Sequence, residues 1–118
     1  VIGSYGSGVS IAAGETFLNA GVPAVGCSCT NPQVTLGNDY YFRVCFLDPF
    51  QGTVMANYAI DEGHMKAAVI SQNGDDYSTG LANYFKNAYK GEIVYDGTFN
   101  TNESDFNALL TAAKVSQA

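Results

Sequence analysis

Three hydroxyl side chains directly follow predicted strands, where an open sheet gathers polar groups. Ser7 follows an apolar strand end and opens a predicted helix with Gly8, and Ser28 and Thr30 follow the next apolar run. Ligands of open α/β sheets bind beyond the carboxyl ends of the strands, where the first N–H groups of helices lack intrahelical partners. A ligand carboxylate could accept hydrogen bonds there from amide groups, from the hydroxyls of Ser7 and Thr30, and meet backbone groups of Ser28. An N-cap role for Ser7 and an ordinary loop hydroxyl at Thr30 are the alternatives.

The glycines near Ser7 do not complete a nucleotide fingerprint. A Gly-x-Gly-x-x-Gly pattern that begins at Gly6 requires a third glycine where Ile11 stands, and no acidic residue follows the second strand to bind a ribose. The Gly-x-Ser-x-Gly elbow of hydrolases also fails, because Tyr5 and Val9 occupy its glycine positions. We therefore expect no enzyme activity and no cofactor.

The cysteines and the single histidine offer weak signals for chemistry. Cys27 and Cys29 are too close for an easy mutual disulfide, and strand alternation would point both to one face. We expect Cys27, Cys29 and Cys45 to be buried or half-buried thiols; a disulfide with Cys45 or a metal site is the alternative. His64 stands at a predicted helix end, which favours a solvated imidazole over a catalytic one. No metal site is expected.

Apolar segments alternate with turns in the order expected of a parallel sheet flanked by helices, an α/β fold. The predicted strands are the end at 1–3, Pro23–Cys27, Tyr40–Phe46, Lys66–Ser71 and Glu92–Phe99. The predicted helices are Gly8–Ala20, Pro49–Glu62 with Asp48 as its N-cap, Ser78–Tyr89 and Glu103–Val115. The strand Tyr40–Phe46 follows a loop rather than a helix, so we expect it to cross between two sheets.

Composition excludes several classes of partner. The 118 residues are 47% hydrophobic, which indicates a packed globule. Their formal net charge is −6, and no basic patch is present that could bind nucleic acid or anionic membranes. No apolar run approaches the roughly 20 residues that span a bilayer. The chain opens inside a strand without a basic leader, so we expect an internal piece of a longer protein.

An ordered set of short motifs resembles the branched-chain amino-acid-binding proteins, the type I periplasmic binding proteins that serve ABC importers. The motifs run over essentially the whole chain: Val1-Ile2-Gly3 with Ser7, Gly21-Val22-Pro23, Thr30-Asn31-Pro32, Phe42-Arg43-Val44, Asp48 with Gln51-Gly52, Asp76-Tyr77 with Gly80-Leu81-Ala82, and Asp105-Phe106 before Leu109-Leu110-Thr111. The resemblance implies flavodoxin-like lobes, with residues 1–45 in lobe 1 and residues 46–118 in lobe 2.

The resemblance also implies a ligand site for a small amino acid, branched-chain or otherwise aliphatic; a small polar amino acid or another carboxylate is the alternative. Ser7 and Thr30 would bind its carboxylate, Ser28 would offer a carbonyl to its ammonium group, and Tyr77 would lie over it from the opposite lobe. Further pocket-lining positions are Tyr5, Gly8 and Cys29. The family's first strands and its later acidic residue are missing, so we expect the isolated 118 residues to bind amino acids poorly.

Function follows as an expectation of the same resemblance. The protein would be the extracellular or periplasmic solute-binding component of an ABC importer, with permease subunits as its partners and a lipid anchor as an option in the intact protein. A ligand-sensing receptor ectodomain of the same fold is the alternative. Open sheet edges lead us to expect self-association of the isolated chain, as a dimer, which light scattering would detect.

Overall fold

The computed structural model describes residues 1–118, which form a mixed α/β structure of parallel strands with flanking helices. The helices are α1 (Ser7–Ala20), α2 (Asp48–Asp61), α3 (Asp76–Ala88) and α4 (Asn107–Val115). The strands are β1 (Ala24–Gly26), β2 (Tyr41–Arg43), β3 (Lys66–Gln72) and β4 (Glu92–Phe99). The predicted α/β class is confirmed. None of the helices combines the length and the apolar character that a membrane span requires.

The chain divides into two compact units, Val1–Asp48 and Pro49–Ala118. The sequence analysis placed a boundary between residues 45 and 46. Assignment of the two parts to particular lobes stays a prediction.

In the first unit β1 lies between two parallel neighbours. It pairs with β2 from Ala24 opposite Tyr41 onward, and Val25 forms an isolated parallel bridge with Ile2. Buried Ala24, Cys29, Val34 and Tyr41 form the core, and Ile11 and Phe17 of α1 pack against them. The three parallel segments consequently end at one edge of the sheet.

The second unit is built on β3 and β4, which pair in parallel over their full lengths with one irregularity at Ala67/Ala68. Helix α3 packs on β3, and α4 packs on β4. Asp75 caps α3 by accepting the Ser78 N–H at 2.7 Å, and Tyr89 beyond its end donates to the His64 carbonyl at 2.6 Å. The first bond holds the start of α3, and the second ties the residue after its end to His64.

The predicted element boundaries fail where local hydrogen bonds compete with the regular pattern. Helix α3 begins at Asp76 rather than Ser78, because the cap lies at Asp75. Helix α4 begins at Asn107 rather than Glu103, because the Glu103 carboxylate accepts N–H groups of the two residues that follow it. Strand β2 ends at Arg43 rather than Phe46, since only Val44 N–H continues the ladder, to Gly26 O.

The prediction that Cys27 and Cys29 face the same way is wrong. Cys27 is exposed while Cys29 is fully buried, because β1 already ends at Gly26 and strand alternation does not extend to them. The expected burial therefore holds for Cys29 and for half-buried Cys45 but fails for Cys27. All three thiols are free.

Candidate functional site

The candidate site lies in the first unit, where three segments leave the carboxyl edge of the sheet. Residues 3–7 follow the Ile2 bridge, residues 27–32 follow β1, and residues 44–48 follow β2. Because the strands are parallel, these segments leave from the same edge. Hydrogen bonds between them show that they meet.

Ser7 is the first residue of α1, and its hydroxyl links two of the segments. The Ser7 Oγ accepts the Asn31 N–H at 3.2 Å, which leaves the hydroxyl proton free to be donated. Ser7 is only 2% exposed. The alternative in which Ser7 caps the helix is wrong, because the N-cap is Gly6 and no side chain caps the helix there.

Thr30 belongs to the second segment, and the third segment holds its backbone. The Asp48 N–H donates to the Thr30 carbonyl at 3.0 Å. The Thr30 hydroxyl is buried and has no hydrogen-bond partner, so it is not an ordinary solvated loop hydroxyl. Buried hydroxyls without partners are rare in folded proteins, which makes Thr30 a position with an unmet hydrogen bond.

Arg43, at the end of β2, binds the loop of residues 29–35, which contains Thr30. Its guanidinium donates to the carbonyls of Cys29 at 2.9 Å, Asn31 at 2.7 Å and Pro32 at 3.1 Å. It also donates to the Thr35 hydroxyl at 2.5 Å. Together with the Asp48 N–H, these bonds hold four consecutive carbonyls of the loop, those of residues 29–32.

Asp48, the first residue of α2, is fully buried beside this loop. Burial raises the pKa of its carboxyl, and the Thr30 hydroxyl and the Arg43 charge oppose that rise. The hydroxyl is near enough to act on the carboxyl, yet no hydrogen bond of acceptable geometry reaches either carboxylate oxygen. An ionised carboxylate without partners is costly to bury, which is the physical cause of the raised pKa.

We expect Asp48→Asn to stabilise the protein increasingly as pH rises above 3.8, the reference pKa of the unfolded state. The folded protein binds more protons than the unfolded chain between that value and the raised folded pKa, so the free energy of unfolding of the wild type falls across this window. Each unit of pKa shift corresponds to about 1.4 kcal/mol, which the neutral amide avoids. Urea unfolding of the native full-length protein from pH 3.5 to 7 measures the difference.

The exposed Asp39→Asn is the matched control, with an expected change below about 0.5 kcal/mol. An Asp48→Asn protein that is less stable than the wild type at pH 7 would show that the ionised carboxylate stabilises the fold.

The other site positions predicted in the first unit, residues 5, 8, 28 and 29, differ in how far they are buried. The half-buried Ser28 donates its hydroxyl to the Tyr5 carbonyl at 2.8 Å, so two of the segments are joined there as well. The Tyr5 side chain is 82% exposed, Gly8 is half-buried, and Cys29 is fully buried in the core. Cys29 therefore contributes packing beneath the loop.

Tyr77 lies in the second unit, in the first turn of α3. Its hydroxyl accepts a hydrogen bond from the Gln51 amide at 3.2 Å, and its side chain is partly exposed. It borders an apolar cavity of about 280 Å³ within this unit, which is also lined by Gly52, Met55, Leu81 and Phe85. Tyr77 thus packs at the start of α3 and keeps part of its ring exposed.

Two residues that hold the loop at this edge escaped the sequence analysis. Asp48 was expected only as an N-cap, and Arg43 only as part of a crossing strand. A single cation within the apolar run Tyr-Tyr-Phe-Arg-Val-Cys-Phe was the available signal, because a charged residue in a half-buried strand needs partners.

The structure holds no group of three or more His, Cys, Asp or Glu residues placed to bind a metal ion. His64 is exposed beyond the end of α2, in agreement with a solvated histidine. The polar groups of the edge are therefore hydroxyls, amides and one buried acid.

Comparison with known proteins gives a consistent answer over the whole chain. The model of the family described as periplasmic binding protein matches residues 1–118. The Leu/Ile/Val-binding protein homolog 1 of Brucella abortus is 38% identical over 125 residues, which cover 100% of this chain and 32% of the relative. The chain thus spans about a third of the length of the curated relatives it matches.

Solved structures agree with this result. The leucine-binding protein LivK of Thermotoga maritima is 36% identical with a TM-score of 0.94, over 98% of this chain and 34% of that one. The branched-chain amino-acid transporter substrate-binding protein LivJ of Streptococcus pneumoniae, in complex with isoleucine, is 40% identical with a TM-score of 0.89, over 97% and 33%. The chain belongs to the periplasmic binding protein family.

Proposed function

We propose that this chain carries part of the binding site of an ABC-importer subunit for a small aliphatic amino acid, and that it catalyses no reaction. The observation that carries the proposal is the edge at which Ser7 and Thr30 are held on adjoining segments through the Asn31 N–H. Hydroxyls and unpaired amides gathered in this way suit a carboxylate.

The donors available to an anion are backbone and side-chain groups. No acceptor is bonded to the N–H groups of Ser7 and Gly8 in the first turn of α1, or to the N–H of Thr30. The dipole of α1 adds partial positive charge at the same place. The Thr30 hydroxyl is buried and has no hydrogen-bond partner, so its proton is available to a ligand as well.

The remaining parts of an amino acid have matching groups in the chain. The backbone of Ser28 would offer its carbonyl to the ammonium group, and Tyr5 and Gly8 would border the ligand. An aliphatic side chain suits the partly exposed ring of Tyr77, because an aromatic face buries apolar area. The relatives are described as binding leucine, isoleucine or valine, which supports an aliphatic ligand.

Family membership also supports a location and a set of partners. Binding proteins of this kind work outside the cytoplasmic membrane, lipid-anchored in some cases, and pass their solute to permease subunits. A dimer of the isolated 118-residue chain stays a prediction, which rests on the two-stranded sheets with their unpaired edges. Light scattering over a wide concentration range checks it.

We expect Ser7→Ala and Thr30→Val each to weaken L-leucine binding by about tenfold or more in the native full-length protein. A hydrogen bond to a charged group contributes about 1.5 to 3 kcal/mol, and its loss leaves the carboxylate undersolvated. Isothermal titration calorimetry with L-leucine, L-isoleucine and L-valine measures the effect.

Ser104→Ala is the matched control, since this exposed hydroxyl precedes α4 in the other unit. The proposal fails if the wild-type protein binds none of the three amino acids. The assignment of the site fails if both site variants bind as tightly as the wild type.

A further inference from the structure

The guanidinium of Arg43 is bound entirely by neutral groups. Its four acceptors are three backbone carbonyls and the Thr35 hydroxyl, all on the loop 29–35. No carboxylate forms a salt bridge with Arg43, and the ion pair between Lys86 and Asp96 lies in the other unit. A strand cation devoted to one loop in this way indicates a role in shaping that loop.

Because the peptide bond is planar, the contacts of Arg43 with backbone carbonyls also fix the direction of the N–H groups that follow those carbonyls. The Cys29–Thr30 and Thr30–Asn31 peptides are trans, so each carbonyl is opposed to the N–H that follows it. In the second peptide the carbonyl accepts from Asp48 while the Asn31 N–H reaches Ser7. In the first peptide the carbonyl is bound by Arg43, which directs the Thr30 N–H away from the guanidinium.

We propose that Arg43 is a positioning residue for anion recognition: by holding the carbonyls of residues 29, 31 and 32, it presents the Thr30 N–H and the adjoining Ser7 hydroxyl to a ligand carboxylate. This inference rests on the proposed function, because it concerns the same site. Arg43 itself does not touch the ligand.

The shape of the guanidinium is essential to this role. Arginine offers five donors in a rigid planar fork, and both terminal nitrogens of Arg43 are used, each on two acceptors. A lysine ammonium concentrates its donors on one nitrogen and cannot hold the same spread of carbonyls. Charge and shape can therefore be separated by substitution.

The test measures L-leucine and L-leucinamide binding by calorimetry in the native full-length protein. Leucinamide keeps the side chain and the amine but lacks the anionic carboxylate. We expect Arg43→Lys and Arg43→Met each to weaken L-leucine binding by about 10- to 100-fold and to reduce the preference for leucine over leucinamide. Thr35→Val removes one of the four contacts and is expected to have a smaller effect in the same direction.

Lys86→Met is the control for loss of a positive charge, and it leaves both affinities unchanged. Unaltered leucine binding in Arg43→Lys would overturn the inference, and so would an equal loss for leucine and leucinamide, which indicates general damage. If Arg43→Lys and Arg43→Met do not fold, the ratio of the leucine and leucinamide affinities in Thr35→Val decides. A wild-type protein that binds leucinamide as tightly as leucine contradicts the carboxylate site itself, whereas normal discrimination that survives substitution contradicts Arg43 alone.

Discussion

Tyr41→Ala should lower the free energy of unfolding by about 3 to 5 kcal/mol, the usual cost of removing a large aromatic ring from a core. Tyr41 is 3% exposed, and its ring packs against Phe17 of α1 with centroids 5.9 Å apart. It also packs in the cluster that contains Ala24 and Val34. No neighbouring side chain can fill the volume of the ring, because β1 and β2 hold its surroundings at fixed spacing.

The Tyr41 hydroxyl adds a second, separable contribution. It donates to the Gly3 carbonyl at 3.0 Å and accepts the Ser4 N–H at 3.0 Å, so it anchors the segment that leads to Ser7. Tyr41→Phe keeps the ring and leaves both backbone groups without this partner, for an expected loss of about 1 to 3 kcal/mol. We also expect weaker ligand binding in this variant, since the segment before α1 loses its anchor.

Urea unfolding of the native full-length protein, followed by circular dichroism, compares these variants with the neighbouring control Tyr40→Ala. Tyr40 is 37% exposed, and its substitution should cost less than half of what Tyr41→Ala costs. Equal losses at Tyr40 and Tyr41 would contradict the central place of Tyr41 in the core.

The sequence predicts the elements of this fold well where periodicity is long and unbroken. The range predicted for β4, Glu92–Phe99, is the range observed, and β3 extends one residue beyond its prediction. Both are apolar runs bounded by turn residues, so local preference and tertiary packing agree. Helix ends are less predictable, since caps such as Asp75 depend on which of several polar residues forms the bond.

The candidate site is only partly predictable, for a different physical reason. Strand order and chain direction suffice to bring Ser7 and Thr30 to one edge. Sequence patterns do not reveal side chains that act on backbone groups, because carbonyls are identical at every residue. Arg43 and Asp48 were therefore missed as partners of the loop: Arg43 lies inside the predicted strand Tyr40–Phe46, and Asp48 was predicted only as the N-cap of the helix that follows.

Burial of the site hydroxyls was also unforeseen. Ser7 and Thr30 are 2% and 6% exposed, whereas the sequence analysis expected groups open to a ligand. The fully buried residues of α1 are Ser7, Ser10 and Gly14, which are all small, while the apolar Ile11 and Phe17 are only partly buried against the core. Small side chains allow the helix to approach the loop closely, as the hydrogen bond between the Asn31 N–H and the Ser7 Oγ shows.

Gly52→Leu should destabilise the second unit by about 3 kcal/mol or more, because α2 and α3 leave no space for a side chain there. A Cβ at Gly52 would lie 2.7 Å from the Tyr84 Cβ and 2.8 Å from the Phe85 backbone nitrogen. These atoms cannot rotate away as the end of a flexible side chain can, so the helices must move apart.

A graded series distinguishes this steric effect from helix propensity. Gly52→Ala is expected to cost about 1 to 3 kcal/mol despite the better helix propensity of alanine, which alone would stabilise by about 1 kcal/mol. Asn57→Ala, at an exposed position of the same helix, is expected to be neutral or slightly stabilising. Urea midpoints of the native full-length protein measure all three, and a Gly52→Ala protein more stable than the wild type would show that the two helices do not pack this closely.

Because Gly52 and Tyr77 also border the same apolar cavity, separation of the helices should alter the surroundings of Tyr77. Tyrosine ring signals in NMR spectra report that change.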